Sequence, residues 1–279
     1  MIDKPAGLTS FDVIARVRRI RRTRSVGHTG TLDPFATGLL VVLLGRATRL
    51  ARFVEAEAKT YLATARFGSA TDTDDLTGAT VRIAPPEWQP TREQVEAALA
   101  GFLGRSAQRP PPFSAKKVQG ERSYELARRG EMTELAPVEI EVHDIALIGI
   151  SGQEVEFRAT VSAGTYLRGI ARDLGERLGG AAHLTALRRE RIGVLDLRDA
   201  VPLEALTPET PQLDPVAVLG NIRVRLLTAA EAAAVGHGRA VSADGMEGRV
   251  ALVLDGRLVA IAESRDRLLH PVVVLEPAA

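Results

Sequence analysis

The sequence predicts an α+β protein with a mixed or antiparallel central sheet, and three observations lead there. Two capping boxes, at Thr9–Asp12 and Thr91–Gln94, each open an amphipathic helix. Glu154 to Val161 alternates apolar and polar residues, as a half-buried strand does. LVLDGRLVAI (252–261) has the form of a hairpin around Asp-Gly. The 279 residues suffice for a large body and a small second domain. With 45% hydrophobic and 25% charged residues, the chain falls in the ordinary globular class. Nothing approaches an 18-residue apolar run, so no membrane span is expected. MIDKPAGLTS lacks the apolar core of a signal peptide. There is no Cys, which removes disulfides, thiolate ligands and a Cys nucleophile. A cytoplasmic location is expected.

Taken in order, the first capping box predicts a helix over 10–22, with Phe11, Ile14 and Val17 at helical spacing on its apolar side. Six arginines crowd ARVRRIRRTR (15–24), and residues 1–50 hold nine Lys/Arg against three Asp/Glu, although the whole chain nets +1. Phosphate binding needs such a local patch rather than a high overall charge. On charge alone, a solvated helix face is the commoner explanation. A loop at 25–38 contains HTGTLDPFATG and leads into a buried strand, Leu39–Leu44. KTYLATARFG (59–68) reads as a strand ending in the polar turn SATDTDDLTG. The second capping box starts a helix with Val95, Leu99 and Phe102 on its apolar face.

RPPPFSAKKVQGERSYELARRGE (109–131) begins with prolines that force an extended entry and continues as a basic surface excursion. AGTYLRGIARDLGERLGG places Leu167, Ile170, Ala171, Leu174 and Leu178 on one helix face and ends at Gly179-Gly180. Four prolines mark residues 200–220 as a linker. The expected domains are a body over 1–199 and a small, mostly β domain over 221–279.

Elimination narrows the chemistry. No Walker-type loop or GxGxxG fingerprint is present, which argues against a nucleotide-binding enzyme. The five His are scattered without an HExxH pair, and GxSxG is missing. DTDDLTG (72–78) is acidic enough for a calcium loop, but Leu76, Thr77 and Ile83 stand where a ligand, the Gly and the Glu are required. No metal is expected. Carboxylate chemistry on a phosphate-bearing polymer remains, with Asp33 in a Gly-rich loop as the candidate reagent. By composition alone, Asp-Pro in that loop is turn chemistry first.

The segment HTGTLDPFATGLL resembles the signature of the TruB family of tRNA pseudouridine synthases. IDKPAGLTSFDV, KTYLATARFGSATDTDD, RPPPFSAKKVQGERSYELARRGE, SAGTYLRGIARDLG and HLTALRRERIG also resemble family segments, in the family's order, and together cover most of residues 2–195. The last 59 residues are similar, more weakly, to a PUA-type RNA-binding domain. The family usually carries a strand and a Gly ahead of the DKP motif, whereas here Met1-Ile2 precede Asp3. The first strand's pairing is therefore at issue.

The resemblance implies a pseudouridine-synthase fold and isomerisation of the T-arm uridine of tRNA at position 55, by base flipping and without a cofactor. Asp33 matches the aspartate that starts cleavage of the glycosidic bond. Tyr61 matches the tyrosine that stacks on the flipped uracil, and Tyr166 and Leu187 match residues around it. Arg168 matches the arginine that pairs with the catalytic carboxylate, with Asp75 a second acid in that network. His28 matches a histidine that takes the extruded nucleotide's place, while Lys4 and Pro5 support the loop. Arg18, Arg19, Arg22, Lys116 and Lys117 become phosphate contacts. The partner implied is tRNA, met by a monomer with no obligate protein partner. A non-catalytic tRNA-folding protein and a guide-RNA-dependent subunit are the rival readings.

Overall fold

The computed structural model describes residues 1–111, 113, 117–118, 121–122, 135–220 and 222–276. The principal elements are β1 (Ile2–Lys4), α1 (Ser10–Arg21), β2 (Val26–His28), β3 (Thr37–Leu40), β4 (Val42–Leu44), β5 (Lys59–Phe67), α2 (Arg92–Ala100), β6 (Gly104–Gln108) and β7 (Val138–Ser151). They continue with β8 (Glu154–Val161), α3 (Leu167–Arg177), β9 (Ala182–Ile192), β10 (Val201–Pro202), β11 (Arg223–Leu226), α4 (Ala229–Gly236), β12 (Val241–Ser242), β13 (Arg249–Leu254), β14 (Arg257–Arg265) and β15 (Leu268–Val274). The chain packs as two compact units. One comprises Met1–Pro34, Gly38–Ala56 and Ile192–Ala279, the other Phe35–Thr37 and Glu57–Arg191.

In the first unit, β1 pairs antiparallel with β3 (Ile2 opposite Leu40) and parallel with β10 (Ile2 opposite Val201). β1 thus has a paired neighbour on each side, and the mixed sheet expected from the sequence is present. α1 begins as predicted, with Thr9 Oγ1 accepting the Asp12 N–H and the Asp12 carboxylate accepting the Thr9 N–H at 2.8 Å. It ends at Arg22, whose φ of 49° breaks the helix. Its buried face is Val13, Ile14 and Val17, packed on Ile2, Val26, Leu40, Leu203 and Leu206. Phe11 is a correction: spacing put it on the apolar side, yet it is 66% exposed and lies beneath the Arg18 guanidinium. At 3.6 residues per turn, Phe11 lies roughly 110° round the helix from the middle of the Val13, Ile14 and Val17 face, so it keeps helical spacing with Ile14 yet falls outside that face.

The apolar run Leu39–Leu44 is also corrected, from one strand to two. β3 pairs with β1, whereas β4 pairs with β2, placing His28 opposite Val42. Val41 marks the change of partner, its carbonyl accepting the Thr29 N–H at 3.1 Å. Gly38 to Leu40 of β3 are buried, whereas in β4 Leu43 is buried and Val42 and Leu44 only partly so. All six residues from Leu39 to Leu44 are nonetheless apolar, so the sequence pattern carries no mark of the break.

The C-terminal strands form a five-stranded curled sheet in the order β11-β13-β14-β15-β12, the small β-rich, PUA-like element expected. Its β13–β14 hairpin turns at Asp255-Gly256, both with positive φ (50° and 75°), as the tight Asp-Gly turn requires. Val250, Leu252, Val259 and Leu269 pack with Val235 of α4. The alternate residues Ala251, Val253, Leu258 and Ile261 join Leu39, Leu43, Leu50, Phe53 and Ile192 in a second core. Within residues 200–220, β10 is paired, Leu203 is fully buried, and Val218 and Leu219 enter that core.

The second unit is built on the strand order β9-β5-β8-β7-β6. β8 pairs antiparallel with both β5 and β7, and β7 with β6. Val155, Phe157, Ala159 and Val161 are all buried, the face that alternation predicted. α3 buries Leu167, Ile170, Ala171 and Leu174, with Leu178 as its C-cap.

Candidate active site

Asp33 sits half-buried in a loop whose main chain is gripped on both sides of it. Before it, the Leu32 N–H donates to Ser10 Oγ at 2.9 Å, and Ser10 Oγ donates to the Leu32 carbonyl at 3.2 Å. After it, the Pro34 carbonyl accepts from the Gly7 N–H at 2.8 Å and from Lys4 Nζ at 3.3 Å. The Lys4 ammonium has no exposed surface and also donates to the carbonyls of Pro5 (2.9 Å) and Leu8 (2.7 Å). A buried ammonium needs such a ring of acceptors, and the ring in turn ties the DKP segment to the Asp33 loop. Lys4→Met keeps the volume but strips these carbonyls of their donor. It should cost about 3 kcal/mol or more in urea denaturation; a change below about 0.5 kcal/mol would mean that Lys4 does not brace the loop. His28, at the end of β2, is half-buried.

In the second unit, Tyr61 lies on the inward face of β5 with Lys59, Ala63 and Ala65, 7% exposed and opposite Ala159 of β8. The structure brings Arg168 and Asp75 together: Arg168 Nη1 lies 3.3 Å from Asp75 Oδ2, with both side chains buried. Arg168 also donates to the carbonyls of Thr73 (3.0 Å) and Phe113 (2.8 Å). The other oxygen of Asp75 accepts from Thr73 Oγ1 (2.8 Å), the Thr77 N–H (2.9 Å) and Thr77 Oγ1 (2.6 Å). The acidic DTDDLTG stretch thus folds its carboxylate onto its own threonines and an arginine. Leu187 is buried on β9, and its carbonyl accepts from Thr37 Oγ1 at 3.5 Å.

Tyr166 occupies the N-cap position of α3, its side chain half-exposed. Its peptide is held by Gln108, whose carboxamide accepts the Tyr166 N–H and donates to the Tyr166 carbonyl, both at 2.9 Å. Gly169 permits this, because a Cβ there would meet Gln108 Nε2 at 2.8 Å. Gln108 is a residue that sequence reasoning missed, since a lone Gln before Arg-Pro carries no signal of a cap. Asp74 and Arg172 were missed too, although Arg172 stands one helical turn beyond Arg168 and was within reach of a spacing argument.

Burial pushes the Asp74 carboxyl up to about 6, against the pull of Arg172 and Arg168 and reinforced by Asp173. Between the ordinary carboxylate range and about 6, the folded protein holds a proton that the unfolded chain releases. The contribution of this group to stability is therefore present below about pH 4 and is lost as the pH rises to about 6. The stability of wild type relative to Asp74→Asn should fall by up to about 3 kcal/mol across that window. Parallel stability profiles for the two proteins in denaturant would refute the shift.

Of the phosphate-contact candidates, Arg19 and Arg22 are exposed. Arg18 is half-buried and donates to the Val26 carbonyl at 3.1 Å. Its neighbour Arg21 donates to the carbonyls of Pro208 and Thr210. Lys116 and the side chain of Lys117 lie outside the described residues.

The family model for the N-terminal domain of TruB family pseudouridylate synthases matches residues 18–167. The tRNA pseudouridine synthase B of Thermobifida fusca is 44% identical over 284 residues, covering 98% of this chain and 97% of that protein. The chain belongs to the TruB family. A second TruB-family relative, the tRNA pseudouridine synthase B of Mycobacteroides abscessus, is also 44% identical, covering 100% of this chain and 96% of its own. Among solved structures, a chain of a Cbf5–Nop10–Gar1 complex superposes with a TM-score of 0.76 at 23% identity, covering 99% of this chain and 84% of that one. A chain of the archaeal box H/ACA sRNP Nop10–Cbf5 complex gives 0.71 at 24% identity. These likenesses establish the shared fold for this TruB-family chain.

Proposed function

We propose that this chain isomerises a uridine of tRNA to pseudouridine, and that its target is the T-arm uridine at position 55. The observation that carries the reading is the 44% identity that spans 98% of this chain and 97% of a tRNA pseudouridine synthase B. In this reaction the bond from C1′ to N1 breaks and a bond from C1′ to C5 forms, while C5 loses a proton and N1 takes one. Atoms and electrons balance without a co-reactant. Asp33 is assigned the first step, on a loop that a buried lysine and a helix N-terminus hold in place. A fixed carboxylate can meet the same atom of each substrate, the geometric condition for such catalysis. Tyr61 is assigned to stack on the flipped base, Tyr166 and Leu187 to flank it, and His28 to fill the space it leaves. Arg168 with Asp75 supplies the charge network. Arg18, Arg19, Arg22, Lys116 and Lys117 are assigned to phosphates, giving affinity that falls steeply with salt.

The test uses the purified chain alone, with a tRNA transcript carrying tritium at uridine C5. Release of one label per tRNA is expected, and none from a transcript with cytidine at position 55. Tight binding without release would overturn the reading and point to a folding protein or a guide-dependent subunit. For Tyr61→Ala, stacking of about 1–3 kcal/mol is lost. We expect single-turnover release to slow at least about 10-fold more than tRNA affinity weakens, because phosphate contacts dominate binding. Equal losses in both would remove Tyr61 from the base-receiving role.

A further inference from the structure

We propose that Arg172, with Asp74, is a positioning residue for the isomerisation: the pair fixes the acidic turn at 72–75 so that Asp75 holds Arg168 in place. The proposal rests on the role assigned to Arg168 above.

Arg168 and Arg172 are four residues apart on α3 and therefore share one face of the helix. Asp74 and Asp75 are consecutive, and in extended chain their side chains would point to opposite sides. Asp74 instead takes a φ of 59°, and both carboxylates meet the arginines of α3. The strained residue is secured by its own peptide, with its N–H donating to Thr71 at 3.2 Å and its carbonyl accepting from Leu184 at 3.0 Å.

The Arg172 guanidinium has three partners, with Nε and Nη2 both 2.8 Å from Asp173 Oδ1. Nη1 reaches Asp74 Oδ2 at 2.8 Å, and Nη2 also donates to the Arg109 carbonyl at 2.9 Å. Arg168 makes the parallel connection, from Thr73 and Asp75 to the Phe113 carbonyl. Two guanidinium forks therefore run side by side from the acidic turn to the carbonyls of Arg109 and Phe113. The Arg172–Asp74 contact, at 2.8 Å, is tighter than the Arg168–Asp75 contact, at 3.3 Å. Without it, the turn keeps Arg168 as its remaining tie to α3 in this pair, and that looser contact is the one to shift. A displacement on the order of 1 Å in a supporting group can cost about 100-fold in rate.

Single-turnover release of C5 tritium, with protein in excess, measures the effect. Arg172→Ala and Asp74→Asn should each slow release at least 10-fold while tRNA affinity stays within threefold. Arg172→Lys should recover part of the rate, because an ammonium restores the charge but not the three-way fork. In an Arg168→Ala background the same two changes should slow release less than twofold further, since their route to the reaction is already gone.

A merely structural pair would give the full loss in both backgrounds, and that result overturns the proposal. Wild-type rates in Arg172→Ala and Asp74→Asn, or a loss confined to tRNA affinity, also overturn it. Should Arg172→Ala fail to fold by circular dichroism, the amide isostere Asp74→Asn decides alone. An inactive wild type removes the functional reading itself, whereas an active wild type with unaffected variants removes the positioning role only.

Discussion

Asp33→Asn is expected to abolish release of tritium from C5 of the target uridine, a loss of about 10⁴-fold in single-turnover rate. Affinity for tRNA should stay within about threefold, because phosphate contacts provide most of it. The amide keeps the shape of the side chain but can neither attack as an anion nor hold an abstracted proton. The loop itself should survive, since Ser10, Gly7 and Lys4 grip the main chain of Leu32 and Pro34. Asp33→Glu tests the same point from the other side: it retains the charge and moves it outward by one methylene. With the flanking peptides fixed, the loop has little freedom to absorb that length, and a loss of about 100-fold is expected. Asp33→Asn that released label at one tenth of the wild-type rate would remove Asp33 from the chemistry.

Much of this molecule is legible in its residues, and the failures have physical causes. Both capping boxes form as read, because a threonine and an acid or amide three residues on satisfy the same two peptide N–H groups in any context. The Asp255-Gly256 hairpin forms for an equally local reason. Leu39–Leu44 was misread because its two halves pair with different partners, β1 and β2. Val42 and Leu44 are only partly buried yet apolar, so the alternation that would have shown the break is missing from the sequence. Phe11 was misread because helical spacing alone does not say which of two adjacent apolar stripes meets the core.

The candidate site divides in the same way. Asp33, Tyr61 and Arg168 were reached through a motif resemblance, since composition would have left Asp33 a turn residue. The ion pair of Arg168 with Asp75 joins residues 93 apart in sequence, and no periodicity connects such positions. Gln108 and Asp74 owe their roles to a peptide they cap and to a left-handed backbone angle. Both are properties of the folded chain. Lys4 is intermediate: its motif was visible, but its complete burial among backbone carbonyls was not.

Arg168→Met should be the most damaging single change in the second unit, in stability as well as in rate. Arg168 is 5% exposed, and its guanidinium faces the Asp75 carboxylate and the carbonyls of Thr73 and Phe113. Methionine fills the space without supplying a donor, leaving a buried carboxylate without this counter-charge and two carbonyls short of a partner. Breaking a buried pair in this way costs about 3–5 kcal/mol. The Thr73 and Thr77 hydrogen bonds soften the loss by still holding one oxygen of Asp75, which places the expectation nearer about 3 kcal/mol. Release of tritium, measured at a temperature where the variant remains folded, should slow by about 100-fold or more. Arg168→Lys distinguishes charge from geometry. An ammonium can reach one acceptor well but cannot span Asp75, Thr73 and Phe113 as the planar fork does. Most of the loss in rate should therefore persist in the lysine variant, while part of the stability returns. A lysine variant within threefold of wild type in rate and within about 0.5 kcal/mol in unfolding free energy would show that a positive charge is all the site requires.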